Sequence, residues 1–242
     1  MQIISTRQAV THGVKLLVYG QAGVGKTCLA ATCNRPIILS AEAGLLSLRA
    51  HDIPAIVIKS VQDLTMAHAL LSGPAGNDYD TIILDSISEI AEVILSHAKA
   101  QTKDPRAAYG ELADKTTMLI RAFRDLPNKN VVFIAKSGTK EVDGVPVTGP
   151  SMPGNSLTQG ISYFFDEVAA MRIGKTPEGV AYRYLQFQPD FSHTAKDRSG
   201  ALSAIEEPHL GKLFAKIAVV PQAIAPTSEP EPARITEDVA PF

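Results

Sequence analysis

The stretch "GQAGVGKT", residues 20–27, has the residue types and the spacing to hold a polyphosphate. Gly20 and Gly25 bracket four residues, and Lys26 and Thr27 follow at once, completing the pattern G-x-x-x-x-G-K-T. Glycines let the backbone curl until successive N–H groups converge on phosphate oxygens. A helix opening at that point adds its positive dipole end. The lysine amine of such a loop reaches the β and γ phosphates, and the threonine hydroxyl is a ligand for Mg2+. Gly20, Gln21, Ala22, Gly23, Val24, Gly25, Lys26, Thr27 and Cys28 are the expected contacts of a bound nucleotide.

Two carboxylates could complete the chemistry. "TIILD" (81–85) ends four apolar residues in Asp85, and a carboxylate at the C-terminal end of a buried strand is where P-loop enzymes hold the Mg2+ shell. The same Asp could instead cap a helix starting at Ser86, which is itself a second polar ligand or a cap. "SAEAG" (40–44) places Glu42 just after another apolar run, and hydrolysis of a γ-phosphate needs a base that orients water. "AKDRSG" (195–200) adds two cations. In an extended chain residues i and i+2 point to one side, so Lys196 and Arg198 would face a single anion. The Arg-rich lid of a small-molecule kinase is not found in the sequence.

These groups need a scaffold that delivers them to one edge. "VKLLVY" (14–19), "PIILS" (36–40), "AIVIK" (55–59), "TIILD" and "VVFIA" (131–135) are near-continuous apolar runs, as expected of strands covered on both faces. Helical spacing lies between them: Ile87, Ile90, Ala91, Ile94, Leu95 and Ala98 form one face, and Tyr109, Leu112, Thr116, Leu119, Ile120 and Phe123 another. The pattern predicts an α/β fold with a mainly parallel sheet. "DEVAAMRI" and "AYRYLQFQ" flank "GKTPEG" and predict a C-terminal antiparallel hairpin. A last helix carries Leu210, Leu213, Phe214 and Ile217. Residues 1–220 form the expected core. Residues 221–242, with five prolines, are expected to be a disordered acidic tail.

Composition narrows the function. The 242 residues are 45% apolar and carry a formal charge of −2. The tail holds four acidic residues against Arg234, so the body is near neutral, which leaves room only for a local basic groove. No apolar run reaches the length of a membrane span. The opening "MQIISTRQAV" lacks a signal-peptide h-region, which points to the cytoplasm. Cys28 and Cys33 lie five apart, no metal or redox spacing, and are expected to be buried free thiols on a helix. The six histidines form no ligand cluster.

In motif order, residues 13–217 resemble the RecA-like ATPases: P-loop, a strand leading to Ala-Glu, then an apolar strand ending in Asp-Ser. The resemblance implies ATP and Mg2+ as cofactors and hydrolysis of ATP to ADP and phosphate. It implies a nucleotide-sensing residue at Lys136, at the end of "NVVFIAK", where the recombinases usually place glutamine. "HAKAQTKDPRAAYG" (97–110) and "KSGTKEVDGVPVTGPSMPGNS" (136–156) fall where recombinases have two DNA-binding loops. Lys99, Lys103, Arg106 and Lys140 would there meet the phosphates of single-stranded DNA. "AKDRSG" resembles the Lys-x-Arg-x-Gly finger of DnaB-type helicases, whose cations reach ATP on the next subunit. That implies a homo-oligomer, ring or filament, with ATP at the interface. In size the chain resembles the compact phage group of RecA-like single-strand annealing proteins. With only twelve residues before Gly13, it looks like a recombinase core without the N-terminal polymerisation segment. The implied activity is DNA-stimulated ATP hydrolysis in phage recombination. A ring-forming helicase subunit and a nucleotide-switched adaptor for replication proteins are the alternatives. The end "ITEDVAPF" resembles the acidic tip of single-stranded-DNA-binding proteins, which docks on genome-maintenance partners.

Overall fold

The computed structural model describes residues 13–42 and 44–219; the tail and its expected partner fall outside these residues. In chain order the strands are β1 (Lys15–Gly20), β2 (Pro36–Ser40), β3 (Ala55–Val57), β4 (Thr81–Asp85), β5 (Asn130–Val142), β6 (Val145–Ser151), β7 (Glu167–Lys175), β8 (Ala181–Gln186), β9 (Lys196–Asp197) and β10 (Ile205–Glu206). The α-helices are α1 (Val61–Ser72), α2 (Ile87–Gln101), α3 (Pro105–Arg124), α4 (Asn155–Gly160) and α5 (Leu210–Ala218).

One sheet runs β10-β8-β7-β1-β5-β4-β2-β3, with β6 added to β5 and β9 to β7. From β3 to β7 all pairs are parallel, and β8 returns antiparallel on β7. This is the expected α/β architecture, a mainly parallel sheet with an antiparallel hairpin after its last parallel strand. Alternation along each strand splits its apolar residues between two layers. Leu17, Tyr19, Leu39, Leu84 and Phe133 meet Ile87, Ile90, Ile94, Leu112 and Phe123 of α2 and α3 on one face. Leu16, Val18, Ile38, Ile83 and Val132 meet Leu29, Leu48, Leu210 and Leu213 on the other. Because the central strands are parallel, their C-terminal ends share one edge, and the crevice there is where such sheets bind ligands.

Four expectations need correction. Residues 97–110 are not a loop. They are the last turn of α2, a short turn, and the start of α3, where the Asp104 side chain accepts the Arg106 N–H and Pro105 takes the first helical position. Residues 136–156 are mainly a β-hairpin, in which β5 runs on to Val142 and returns as β6. Its turn is Asp143-Gly144, with φ of 51° and 79°, the left-handed pair that a two-residue hairpin turn requires. The segment after the P-loop is a six-residue 3-10 helix, Thr27–Thr32, rather than an α-helix. Pro36 already opens β2, which leaves room for little more than one turn. Cys28 on that segment is exposed and Cys33 half-buried, so they are free thiols but not a buried pair.

One buried group lies at the N-terminal edge. Glu167, the first residue of β7, is 1% exposed; its Oε1 accepts the Ser199 N–H at 3.2 Å, while Oε2 has no hydrogen-bond partner among the described residues. Burial, with the Asp197 carboxylate beside it, raises its pKa from the ordinary 4.5 to about 8. A folded-state pKa above the unfolded value gives stability that is full below pH 4.5 and lost as the pH rises through 8. Thermal melts from pH 4 to 9 should therefore decline more steeply above about pH 5 in the wild type than in Glu167→Gln. Parallel curves would show that Glu167 is ionised in the fold.

Candidate active site

β1, β2, β4 and β5 deliver their ends to one place. Gly20 lies opposite Lys136 in register, Ser40 opposite Asp85, and Asp85 opposite Ile134. The loops that follow close a cleft of about 600 Å3, whose lining includes Gly25, Lys26, Thr27, Cys28, Glu42, Asp85, Ser86, Lys136, Ser137 and Arg183. The P-loop, both carboxylates and the expected sensor thus come together.

Within the P-loop, Gly23 and Gly25 have φ of 76° and 104°, the left-handed region that other residues reach only under strain. Glycines that take up this conformation let the loop's backbone curl around an anion. Lys26 donates from Nζ to the carbonyls of Gly20 at 2.7 Å and Gln21 at 3.0 Å, which holds its amine across the mouth of its own loop. Burial lowers the Lys26 pKa, and Asp85 and Glu42 pull it back.

Asp85 is 3% exposed, and its Oδ2 accepts the Thr27 hydroxyl at 2.6 Å. Burial raises its pKa; Thr27 opposes that shift and nearby Glu42 adds to it. A desolvated carboxylate joined to a hydroxyl is a hard-oxygen donor set, which suits Mg2+. Thr27 and Asp85 would hold the ion, and the positive charge would relieve the cost of burying Asp85. Asp85 does not cap α2. Ser86 does, its Oγ accepting the Glu89 N–H at 3.3 Å. The Ser86 hydroxyl also donates to Glu42 Oε1 at 2.5 Å. The Glu42 main chain is pinned as well, since the Ser40 hydroxyl donates to its carbonyl and the Ala41 N–H to the carbonyl of Asp85. A carboxylate fixed beside the phosphate site can orient a water. Lys136 pairs with Glu89 at the cleft wall, and that pairing holds its ammonium above its ordinary pKa.

Other expected residues lie elsewhere. β9 pairs with the start of β7, Glu167 opposite Asp197, and Glu167 lies beside Leu16 of β1. The P-loop leaves β1 at Gly20, four residues further on, or about 13 Å at roughly 3.3 Å per residue. Lys196 and Arg198 thus lie at the opposite edge from their own P-loop. They do not share a target either. The Lys196 amine donates to the carbonyls of Phe165 at 2.6 Å and Ser162 at 3.2 Å, whereas Arg198 reaches solvent beside Asp166 at 3.6 Å. Lys99, Lys103, Arg106 and Lys140 are exposed and do not line the cleft; Lys99 lies over the Tyr109 ring.

Arg183 of β8 was not expected in the cleft. Its only local signal is its place in "AYRYLQFQ", where it points away from Tyr182 and Tyr184. A further anchor is Tyr19, the residue before the P-loop. Its hydroxyl donates to the carbonyls of Thr194 at 2.6 Å and Thr148 at 3.1 Å, and burial raises its pKa to about 12.

A parallel sheet with a P-loop after its first strand, and an Asp one strand removed from that loop, defines a P-loop NTPase domain. Residues 12–199 match the model of the AAA domain family, and the chain belongs to that family. A search of curated proteins finds no match. Among solved structures, the chain is similar to a KaiC-like protein from the hyperthermophilic archaeon Pyrococcus horikoshii. That likeness has 13% identity and a TM-score of 0.42, and it covers 72% of this chain and 79% of the other. No helix among the described residues is long and apolar enough to cross a membrane.

Asp85→Asn should keep an acceptor for Thr27 while removing the buried charge. Titration calorimetry should show Mg2+-dependent nucleotide binding weakened by at least about tenfold. The melting temperature without Mg2+ or nucleotide should not fall, because a neutral amide costs less to bury than a carboxylate.

Proposed function

We propose that this chain is an ATPase that binds Mg2+·ATP in the cleft, hydrolyses it to ADP and phosphate, and couples the cycle to single-stranded DNA. The supporting observation is the meeting of Lys26, Thr27, Asp85 and Glu42 in one cleft from three separate stretches of sequence. Bound Mg2+ supplies charge neutralisation across the phosphate oxygens. Lys26 attracts the β and γ phosphates and leaves its own carbonyls to do so. Glu42, steadied by Ser86, accepts a hydrogen bond from the attacking water and takes up its proton.

Two continuities support a coupling to DNA. The hairpin carrying Lys140 grows directly from Lys136 and Ser137 at the cleft wall. Lys103, in the turn after α2, and Arg106, at the start of α3, follow a helix that starts beside Asp85 and Ser86. A cleft that tightens on ATP would move both. Annealing or strand pairing, of the kind implied by the resemblance to the phage proteins, is the activity proposed for this coupling. Arg198, exposed at the far edge, would act on ATP held by a neighbouring copy in a homo-oligomer.

Lys26→Ala should abolish tight ATP binding, while Glu42→Gln should keep it and lose at least about 10²-fold in phosphate release. Normal turnover by Glu42→Gln would refute the assignment of the base. Single-stranded DNA should stimulate the wild type, and a rate indifferent to DNA would separate the ATPase from the proposed coupling.

Arg198→Ala and Glu42→Gln, each inactive alone, should regain activity when mixed, because some interfaces then hold Glu42 on one side and Arg198 on the other. A mixture as inactive as its components would remove Arg198 from the reaction.

A further inference from the structure

We infer that Arg183 is a phosphate-binding residue acting within its own chain: the β7–β8 hairpin carries its guanidinium over the P-loop, where it grips the terminal phosphate of the bound nucleotide. The inference rests on the ATPase reading above.

β7 lies beside β1 in parallel, with Tyr19 opposite Ala170. β1 then ends at Gly20, but β7 runs on to Lys175 and β8 returns from Ala181, so the hairpin overshoots the P-loop. In this overshoot Arg183 pairs with Ile173. Alternation along β8 puts Arg183 on the side of Leu185, which is buried in the same layer as Val24, Leu29 and Met171. Beyond the sheet edge, that side faces the phosphate loop. A Cβ added to Gly25 would come within 3.2 Å of Arg183 Nε and 3.4 Å of its Cδ, so the side chain lies directly against the loop's last glycine. Arg183 also lines the cleft together with Lys26, Thr27 and Glu42.

Among the described residues, Arg183 forms no ion pair and no side-chain hydrogen bond. Its neighbours are committed: Arg172 donates to Gln186 at 2.6 Å and reaches Asp190 at 3.4 Å, and Lys136 pairs with Glu89. The hairpin is also stiffened at this point. The Tyr182 ring lies across Gly174, where an added Cβ would come 2.7 Å from Cζ. Arginine cannot release its proton in this setting, and its planar fork matches two phosphate oxygens at once. A permanently charged fork with no carboxylate partner, held on a stiff hairpin against the loop that holds the phosphates, is built to receive an anion.

Steady-state hydrolysis, ATP and ADP titrations and thermal melts on Arg183→Ala and Arg183→Lys would test this. Arg183→Ala should lose about 10²-fold in kcat, the cost of removing one preorganised donor to the transition state. Its ATP affinity should fall more than its ADP affinity. Arg183→Lys, which keeps the charge without the fork, should lie between, and added guanidinium ion should partly restore Arg183→Ala. A purely structural arginine would show neither intermediate nor rescue. If Arg183→Ala fails to fold, Arg183→Lys carries the test, with a loss in kcat at unchanged melting temperature expected. Mixing Arg183→Ala with Glu42→Gln should restore nothing, because neither chain then holds both groups in one cleft. Recovery on mixing would overturn the assignment to the same chain. Wild-type kcat and affinities in Arg183→Ala, beside an inactive Lys26→Ala, would overturn the role of Arg183 and leave the ATPase reading standing. Normal hydrolysis by Lys26→Ala would overturn both.

Discussion

A carboxylate kept out of water is the constraint around which this site is arranged. Asp85 ends a strand buried on both faces, and it is 3% exposed. Its ionised form is costly there, as the direction of its pKa shows. One hydrogen bond from Thr27 offsets only part of that cost. The remainder is a standing demand for positive charge, which Lys26 meets in part and a bound cation would meet more fully. The P-loop, the end of β2 and the cap of α2 gather around this one group. Stability is given up here in return for a place where charge binds strongly.

The polarity of the sheet explains the division of the cations. Parallel strands send every C-terminal end to one edge, so Lys26, Lys136 and the overshooting hairpin with Arg183 surround one cleft. Whatever pairs antiparallel with the start of β7 is sent to the other edge, and β9 with Lys196 and Arg198 does so. A single molecule therefore presents an anion-binding edge and, on its far side, an exposed guanidinium held, among the described residues, only by Asp166 at 3.6 Å. Lys196 is turned inward instead, its amine tying the segment to the carbonyls of Ser162 and Phe165.

What the sequence revealed was set by the range of the interactions involved. The central strands were legible because burial on both faces forces runs such as "TIILD" and "VVFIA" to be almost wholly apolar. The P-loop was legible because its chemistry lies in consecutive residues. Two local signals were outweighed by the expectation of loops: Asp104-Pro105, a helix start, and Asp143-Gly144, a hairpin turn. Arg183 and Lys196 were not legible in that way. The place of Arg183 depends on how far β7 overshoots β1, and that of Lys196 on carbonyls more than 30 residues away. Both are matters of register and packing that no short window records.

The Tyr19 hydroxyl joins its own stretch of chain to two others that sequence keeps far from it. It sits one residue before the P-loop and donates to carbonyls at positions 148 and 194. Residue 148 belongs to the hairpin that rises from the cleft wall, and residue 194 leads into β9. The Thr148 N–H bonds to the Ser192 carbonyl, and the Thr194 N–H returns to that of Thr148, so the contact is braced from both sides. The nucleotide loop, the hairpin and the segment that crosses to the far edge are thus tied together at one point. They share one anchor, so a displacement of the P-loop would bear on both the hairpin and the segment that leads into β9.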